Sequence, residues 1–445
     1  MELTTHQEEV VTPLIQDLIE AKDMDITRDS IVELSGGAGV GKTFSILYII
    51  NYFKFLGWKI AITTPTHASL EVAKNIAKKY NTGDKRAEDE IIASTIHSFL
   101  KLKIENDYNT GKQVLKVNTD PGIKKMKCDL LIIDEKSMVG SELFEYVEDA
   151  IDSGRVKAVL LVGDKYQLPV VSGKMHELPE SHSYELTEIV RQAKDNPLIK
   201  LATDLRRCIE LKKYPPISKI LARHPDIPMY QEIGEFLNIY ATDSNTLTTK
   251  IVGSFTNSLV NTYNFGIRKT MFPDKKFLEP GDTIVLQQPN VIDKGTQKEM
   301  VHSNGQSVEL MGVIKSSKKM KGQTINYWKC ADKDNKSIDI IDPSSEQDFY
   351  GITQKVANDA KMAKGEFKKE LWQEFFALKE EFIEIKYHYA STLHKLQGSS
   401  FCSVYLDVRD IQGMQGKSKE QDDLMFRLMY VGVTRSSDKL VLLTN

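Results

Sequence analysis

Apolar residues gather in short runs through the first half of this chain, at 31–35, 59–64, 130–133 and 158–162. Longer stretches of mixed polarity separate them, such as the helical pattern at 44–55 that follows the first run. Strands alternating with helices in this way predict a parallel sheet covered on both faces. A second block of the same kind starts near Arg191, with apolar strands at 250–255, 404–408 and 440–443. Residues 274–382 interrupt it. There, short strands at 283–287, 306–314, 324–329 and 337–341, with Pro-Gly-Asp and Asn-Gly turns, predict a small β-barrel, and charged helical sequence follows at 346–382. Between the second and third strands of the first block, Phe99-Leu100-Lys101-Leu102-Lys103-Ile104 alternates apolar and polar residues. A turn at Asn109-Thr110-Gly111 and a run at 113–117 complete a predicted β-hairpin. No internal repeat stands out.

Composition narrows the class. The 445 residues suffice for two to four domains, and a hydrophobic content of 41% suits a globular protein. No apolar run approaches a membrane span, and the N-terminus lacks the pattern of a secretory signal. Cys128, Cys208, Cys330 and Cys402 are widely spaced, which argues against a disulfide scaffold or metal ribbon and for a reducing, cytoplasmic setting. A net charge of −3 excludes a globally basic protein. The basic clusters Lys318-Lys319-Met320-Lys321 and Arg206-Arg207 read as solvated faces.

Chemistry enters at the ends of the strands. After the first run comes Gly36-Gly37-Ala38-Gly39-Val40-Gly41-Lys42-Thr43, between a strand and a helix. Glycines let backbone N–H groups close around an anion, and the helix adds its positive end. Lys42 would reach the β- and γ-phosphates of a nucleotide, and the Thr43 hydroxyl would ligate Mg²⁺. The run 130–133 ends in Asp134-Glu135. There Asp134 is placed to hold the Mg²⁺ shell and Glu135 to act as general base on water. In Gly163-Asp164-Lys165-Tyr166-Gln167-Leu168-Pro169, Gln167 could hydrogen-bond a γ-phosphate or its water. Arg191 and Arg435 are candidates to neutralise charge in the transition state.

These motifs occur in the order found in superfamily 1 helicases. The series comprises residues 36–43, Thr64-Pro65-Thr66-His67-Ala68, Ser94-Thr95-Ile96-His97-Ser98, Asp134-Glu135, 163–169, 186–192, Ser391-Thr392-Leu393-His394-Lys395-Leu396-Gln397-Gly398 and 430–435. Over nearly its whole length the chain resembles the Pif1/RecD-like branch, and within it the Dda-type helicases of T-even bacteriophages. The resemblance implies an α/β fold of two RecA-like P-loop motor domains with parallel sheets, a β-hairpin insertion in the first and an SH3-like β-rich insertion in the second. It divides the chain into a first motor domain at 1–190, carrying a pin hairpin at 97–124, and a second at 191–273 and 383–445. The accessory domain with its helical extension takes 274–382.

The same resemblance implies ATP and Mg²⁺ in the cleft between the motors. Residues 36–43 and Gly398 would line the nucleotide, and Gln7 would read its base. It implies single-stranded DNA on Thr66, His67 and His97 of one motor and on Thr256, Asn257, Thr392 and His394 of the other. Phe99 and Tyr108 would serve the strand-splitting pin. Phe99 and Phe255 are also candidate stacking platforms, with a core role as the alternative for each. Lys136 departs from the small or apolar residue that relatives carry after the carboxylates, without replacing either. The expected partners are single-stranded and forked DNA and phage replication or recombination proteins. A monomer in the host-cell cytoplasm, away from membranes, is the expected form. Three alternatives stay open: a translocase that does not separate strands, an RNA-directed member of the superfamily, and a P-loop small-molecule kinase.

Overall fold

The computed structural model of the chain describes residues 2–23, 30–81, 91–120, 122, 125–169, 182–190, 196–274, 277–293 and 298–445. It forms two compact units: Met1–Lys101, Thr119–Val260 and Ser391–Asn445 make the first, Leu102–Asn118 and Asn261–Ala390 the second. Strands are numbered along the chain. The first eight are β1 (Ile31–Gly36), β2 (Ile60–Thr64), β3 (Ile92–Thr95), β4 (Leu102–Asp107), β5 (Lys112–Val117), β6 (Cys128–Ile133), β7 (Val156–Gly163) and β8 (Ser183–Leu186). Next come β9 (Met229–Tyr230), β10 (Lys250–Ser254), β11 (Thr283–Leu286), β12 (Asn290–Asp293), β13 (Lys298–His302), β14 (Ser307–Glu309) and β15 (Gly312–Met320). The last are β16 (Gln323–Ala331), β17 (Ser337–Ile341), β18 (Ile385–Tyr387), β19 (Ala390–Thr392), β20 (Phe401–Asp407) and β21 (Ser436–Leu443).

Two sheets build the first unit. One is wholly parallel, in the order β3-β2-β6-β7-β1-β8. Its central strands are buried on both faces, which is why they read as unbroken apolar runs. The other has the order β19-β10-β20-β21-β9, with parallel pairing from β10 to β9. Against it pack the helices Pro197–Leu211 and Lys419–Thr434, through Leu201, Leu205 and Ile209 on the first and Met425, Phe426 and Met429 on the second.

The second unit is antiparallel. β11 pairs with β14 and β18, β16 pairs with β15 and β17, and β12 pairs with β13. The strand expected at 306–314 is two strands in different sheets. Between them the backbone turns aside: Leu310 N–H donates to Asp282 O, and Gly281 N–H donates to Leu310 O. The helical stretch expected at 346–382 is also divided, into Glu346–Met362 and Gly365–Glu381, by extended Lys364 and by Gly365 at φ +64°. Both helices cover the β15–β17 sheet through Ile352, Val356, Leu378 and Phe382 packed on Ile325. The basic cluster at 318–321 lies beside the second of them, where Lys318 pairs with Glu381 and Lys321 with Glu374.

The hairpin expected at 97–124 is shorter, β4 and β5 alone, and groups with the second unit rather than with the sheet into which it is inserted. Phe99 is not on it. That residue sits in the helix Ile96–Leu100, started by the Thr95 hydroxyl accepting Ser98 N–H and ended by Lys101 at φ +60°, and it is fully buried. Its assignment to the pin is therefore corrected. Alternation over 99–104 misled because a helix end and a strand start share it. Tyr108 does lie at the hairpin turn. Its ring is 6.0 Å from Phe376, beside Trp372 and Phe375, and a methyl added at Gly111 would fall 2.4 Å from Trp372. Among the described residues, no helix is long and apolar enough to cross a membrane.

Candidate functional site

The glycine loop after β1 is shaped by close approach. Gly39 and Gly41 have φ of +78° and +85°, which side chains resist. Gly41 opens the helix Lys42–Phe55 with no side-chain cap, so its first-turn N–H groups are left for an external acceptor. Lys42 Nζ donates to the carbonyls of Gly36 and Gly37 and stands 4.0 Å from Asp164 Oδ2. Gln7 lies against the same loop. Its Oε1 accepts Thr4 N–H at 3.0 Å and its Nε2 reaches Val40 O at 3.4 Å. Val190 N–H donates to Gly39 O at 3.0 Å, tying the segment ahead of Arg191 to the loop; Arg191 itself lies outside the described residues.

The carboxylates follow β6. Asp134 accepts the Glu135 N–H at 2.9 Å, and Glu135 holds φ +56°, a strained setting for a side chain with a Cβ. Burial pushes both carboxyls up, and the charge of Asp134 raises Glu135 further, while Arg435 and Lys42 pull the other way. Lys136 is buried and its ammonium pairs with Glu33 on β1, so this cation is spent inside the fold. After β7, Gln167 is buried, and its Oε1 has no hydrogen-bond partner among the described residues.

The other parallel sheet brings Arg435 to this place. It is buried, its guanidinium lies 4.0 Å from Glu135 Oε1 and donates to Ser399 O at 3.2 Å, and its Nε has no partner among the described residues. Gly398, at φ +73°, lies nearby, where a methyl would come 3.6 Å from Glu135 Cγ. Lys42, Asp134, Glu135, Gln167 and Arg435 thus meet at the facing strand ends of two sheets. An uncapped helix start and two cations fit a polyphosphate, and the orphaned buried amide oxygen of Gln167 fits a water beside it. The oxygens of Thr43 and Asp134 suit Mg²⁺.

Three further members of this seam were not expected there from sequence, and one of them, Arg206, was read as part of a solvated face, which its place over the glycine loop corrects. Tyr430 donates to Asp164 Oδ2 at 2.6 Å and accepts Ala38 N–H at 3.0 Å, joining the second sheet's helix to the glycine loop. Burial, and then Asp164, hold its phenol far above the usual range. Arg427 donates to the carbonyls of Lys165 and Gln167 at 2.8 and 2.9 Å. Arg206 extends over Gly37. Tyr430 and Asp164 could have been drawn from the motif strings that contain them, whereas nothing local distinguishes Arg206 or Arg427 from a surface arginine.

The residues expected on DNA lie at strand ends too. Thr66 caps the helix His67–Tyr80 by accepting Ser69 N–H at 3.3 Å, and His67, one side open to solvent and the other desolvated, lies in its first turn. His97 follows β3, which pairs with β2. Burial lowers the pKa of both imidazoles, with Lys74 adding to the effect on His67 and His67 to that on His97. Across the other sheet, Thr256 follows β10 and precedes Asn257 at the start of the helix Asn257–Met271. Thr392 is buried, and the ring of His394 lies 6.1 Å from that of Phe255. Phe255 itself packs partly against the core.

Comparison with known proteins places these segments among helicase families. Residues 20–173 match the AAA domain family, 274–387 the Dda helicase SH3 domain and 387–443 the UvrD-like helicase C-terminal domain. The chain is 28% identical over 447 residues to the ATP-dependent DNA helicase dda of Enterobacteria phage T4, covering 91% of this chain and 92% of that one. It is 24% identical to an uncharacterized protein of Acanthamoeba polyphaga mimivirus, covering 92% and 94%. A shorter match, 29% identical, joins it to the ATP-dependent RecD2 DNA helicase of Deinococcus radiodurans over 39% of this chain and 21% of that one.

Proposed function

We propose that this chain, which belongs to the superfamily 1 DNA helicases of the Pif1/RecD-like branch, moves 5′ to 3′ along single-stranded DNA at the expense of ATP and unwinds the duplex ahead. The observation that carries the reading is the meeting of Lys42 and Arg435, from two different parallel sheets, around Asp164 and Glu135. Nucleotide bound there touches both halves of the motor, so its presence and loss can close and open the seam.

The residues divide the chemistry among them. The amides of 36–43 and the Lys42 ammonium hold the phosphates, and Gln7 abuts the loop where a base would lie. Thr43 and Asp134 would hold Mg²⁺, and the bound ion supplies charge neutralisation on the phosphate oxygens. Glu135 takes a proton from the attacking water, which Gln167 orients. Its raised pKa, caused by burial, makes it a stronger base once ionised. Arg435 neutralises charge on the transferring phosphoryl group, with Arg191 as its companion.

DNA is held without sequence reading, because Thr66, Thr256, Asn257 and Thr392 offer hydroxyls and amides suited to phosphate contact. His67, His97 and His394 are kept neutral by burial and contribute hydrogen bonds rather than charge at pH 7. Tyr108, at the hairpin turn, meets the first base pair of the duplex.

Duplexes bearing only a 5′ tail or only a 3′ tail test activity and direction together. ATP-dependent unwinding of the 5′-tailed duplex alone is expected. Unwinding of the 3′-tailed duplex alone would reverse the polarity, and ATPase without any strand separation would leave a translocase.

A further inference from the structure

The glycine loop is approached by a third cation that the mechanism above does not use. Arg206 lies on the helix Pro197–Leu211, whose start is set by Asn196 accepting Leu198 N–H at 2.8 Å. Leu198, Leu201, Leu205 and Ile209 bury one stripe of that helix against the helix Lys419–Thr434, and this packing fixes its rotation. Arg206 follows Leu205 at the edge of the stripe. A methyl added at Gly37 would fall 2.8 Å from its guanidinium nitrogen and 3.2 Å from the Tyr430 hydroxyl. The guanidinium carbon lies 5.7 Å from the centre of the Tyr166 ring.

Its surroundings set it apart from other arginines of the chain. Arg268 pairs with Asp282, Arg409 with Asp407 and Arg427 with Asp423. Arg206, half-buried, has no hydrogen-bond acceptor or carboxylate partner among the described residues. A half-buried guanidinium that has no anion of its own and is held beside a phosphate loop is suited to an anion that arrives with the ligand. Lys42 bonds the carbonyls of Gly36 and Gly37, so the ammonium expected between the β- and γ-phosphates lies at the Gly37 end of the loop. Arg206 stands over that same end.

We propose that Arg206 contacts the terminal phosphate of a bound nucleoside triphosphate and lets the second motor half distinguish triphosphate from diphosphate. This rests on the reading of residues 36–43 as the nucleotide site. A diphosphate would leave the guanidinium without its partner, so the contact would be lost on hydrolysis. Tyr430, bonded to Ala38 N–H, stands beside it at the same end of the loop.

The test is equilibrium titration of the full chain, with Mg²⁺ and without DNA. The probes are a fluorescent non-hydrolysable ATP analogue and the matching fluorescent ADP. Arg206→Ala is expected to weaken the triphosphate roughly tenfold or more, the scale of one charged hydrogen bond, and to change the diphosphate far less. Arg206→Lys should recover part of the loss. Arg206→Gln keeps a long side chain over Tyr166 and serves if the alanine variant does not fold. Equal weakening of both probes, or of neither, would overturn the assignment. Lys42→Ala separates the premise from the proposal: loss of both probes there upholds the nucleotide site whatever Arg206 does, and undiminished binding would remove the site and the role of Arg206 together.

Discussion

At the end of β2, Thr66 caps a helix whose first turn carries His67. At the end of β10, Thr256 precedes a helix that opens with Asn257. The likeness continues at the neighbouring strands, where Ser94-Thr95-Ile96-His97 follows the pattern of Ser391-Thr392-Leu393-His394. Each sheet thus offers a hydroxyl and a histidine or amide at matching places, a local repeat that the chain-wide reading passed over. The sheets differ in what they do with bare amides. After β10, the N–H groups of Phe255 and Thr256 both donate to Asp410 Oδ2 at 2.9 Å. The end of β20 is closed as well, since Asp407 accepts Arg409 N–H and pairs with its guanidinium. After β1, among the described residues, no carboxylate accepts the loop amides, and the helix begins uncapped at Gly41. The contrast teaches that the proposed anion site depends on withholding an internal carboxylate as much as on supplying glycines. The second sheet, its amides satisfied, contributes side chains instead: Arg435, Tyr430 and Arg206.

The sharpest way to break this division is at the loop. Lys42→Ala should lower ATP turnover on the order of 10⁴-fold, within the range for groups that neutralise a transferring phosphoryl, while leaving DNA binding in filter retention. Unchanged turnover would deny the first sheet its role. From the second sheet, Arg435→Ala should lower turnover about a thousandfold, with ATP binding largely kept because Lys42 and the loop amides are intact. A wild-type rate in stopped-flow phosphate release would show that one sheet suffices.

A smaller effect probes the proposed DNA contacts. Because burial depresses the pKa of His67, His97 and His394, each is neutral at pH 7, and protonation begins only below the ordinary histidine value of 6.5. Affinity for single-stranded DNA is expected to be flat from pH 8 to 7 and to rise below 6.5. The log–log salt slope should steepen by about 0.7 for each imidazolium that pairs with a phosphate. The sign for the free protein is opposite. The unfolded chain binds these protons first, so stability falls as pH drops through the same range. Fluorescence anisotropy at several salt concentrations reads the first effect and thermal melting the second.

The sequence by itself pointed to the loop proposed to hold an anion and to the residues proposed to act on it. Strand, glycine loop, helix and strand-end carboxylate are local patterns, and backbone sterics and helix ends act over a few residues. Hence Lys42, Thr43, Asp134 and Glu135 were legible, as was the parallel character of both sheets. Tertiary structure alone decided what crosses the seam. Arg206 and Lys318 are alike as basic residues in basic clusters, yet one stands unpaired among the described residues over Gly37 and the other pairs with Glu381. Phe99 and Tyr108 are both aromatics near one hairpin, yet one is buried in a helix and the other sits at the turn. The physical reason is common to them. A side chain's role follows from which distant surface its element is packed against, and that is set by the burial of whole helical stripes and sheets, not by the residues beside it in the chain.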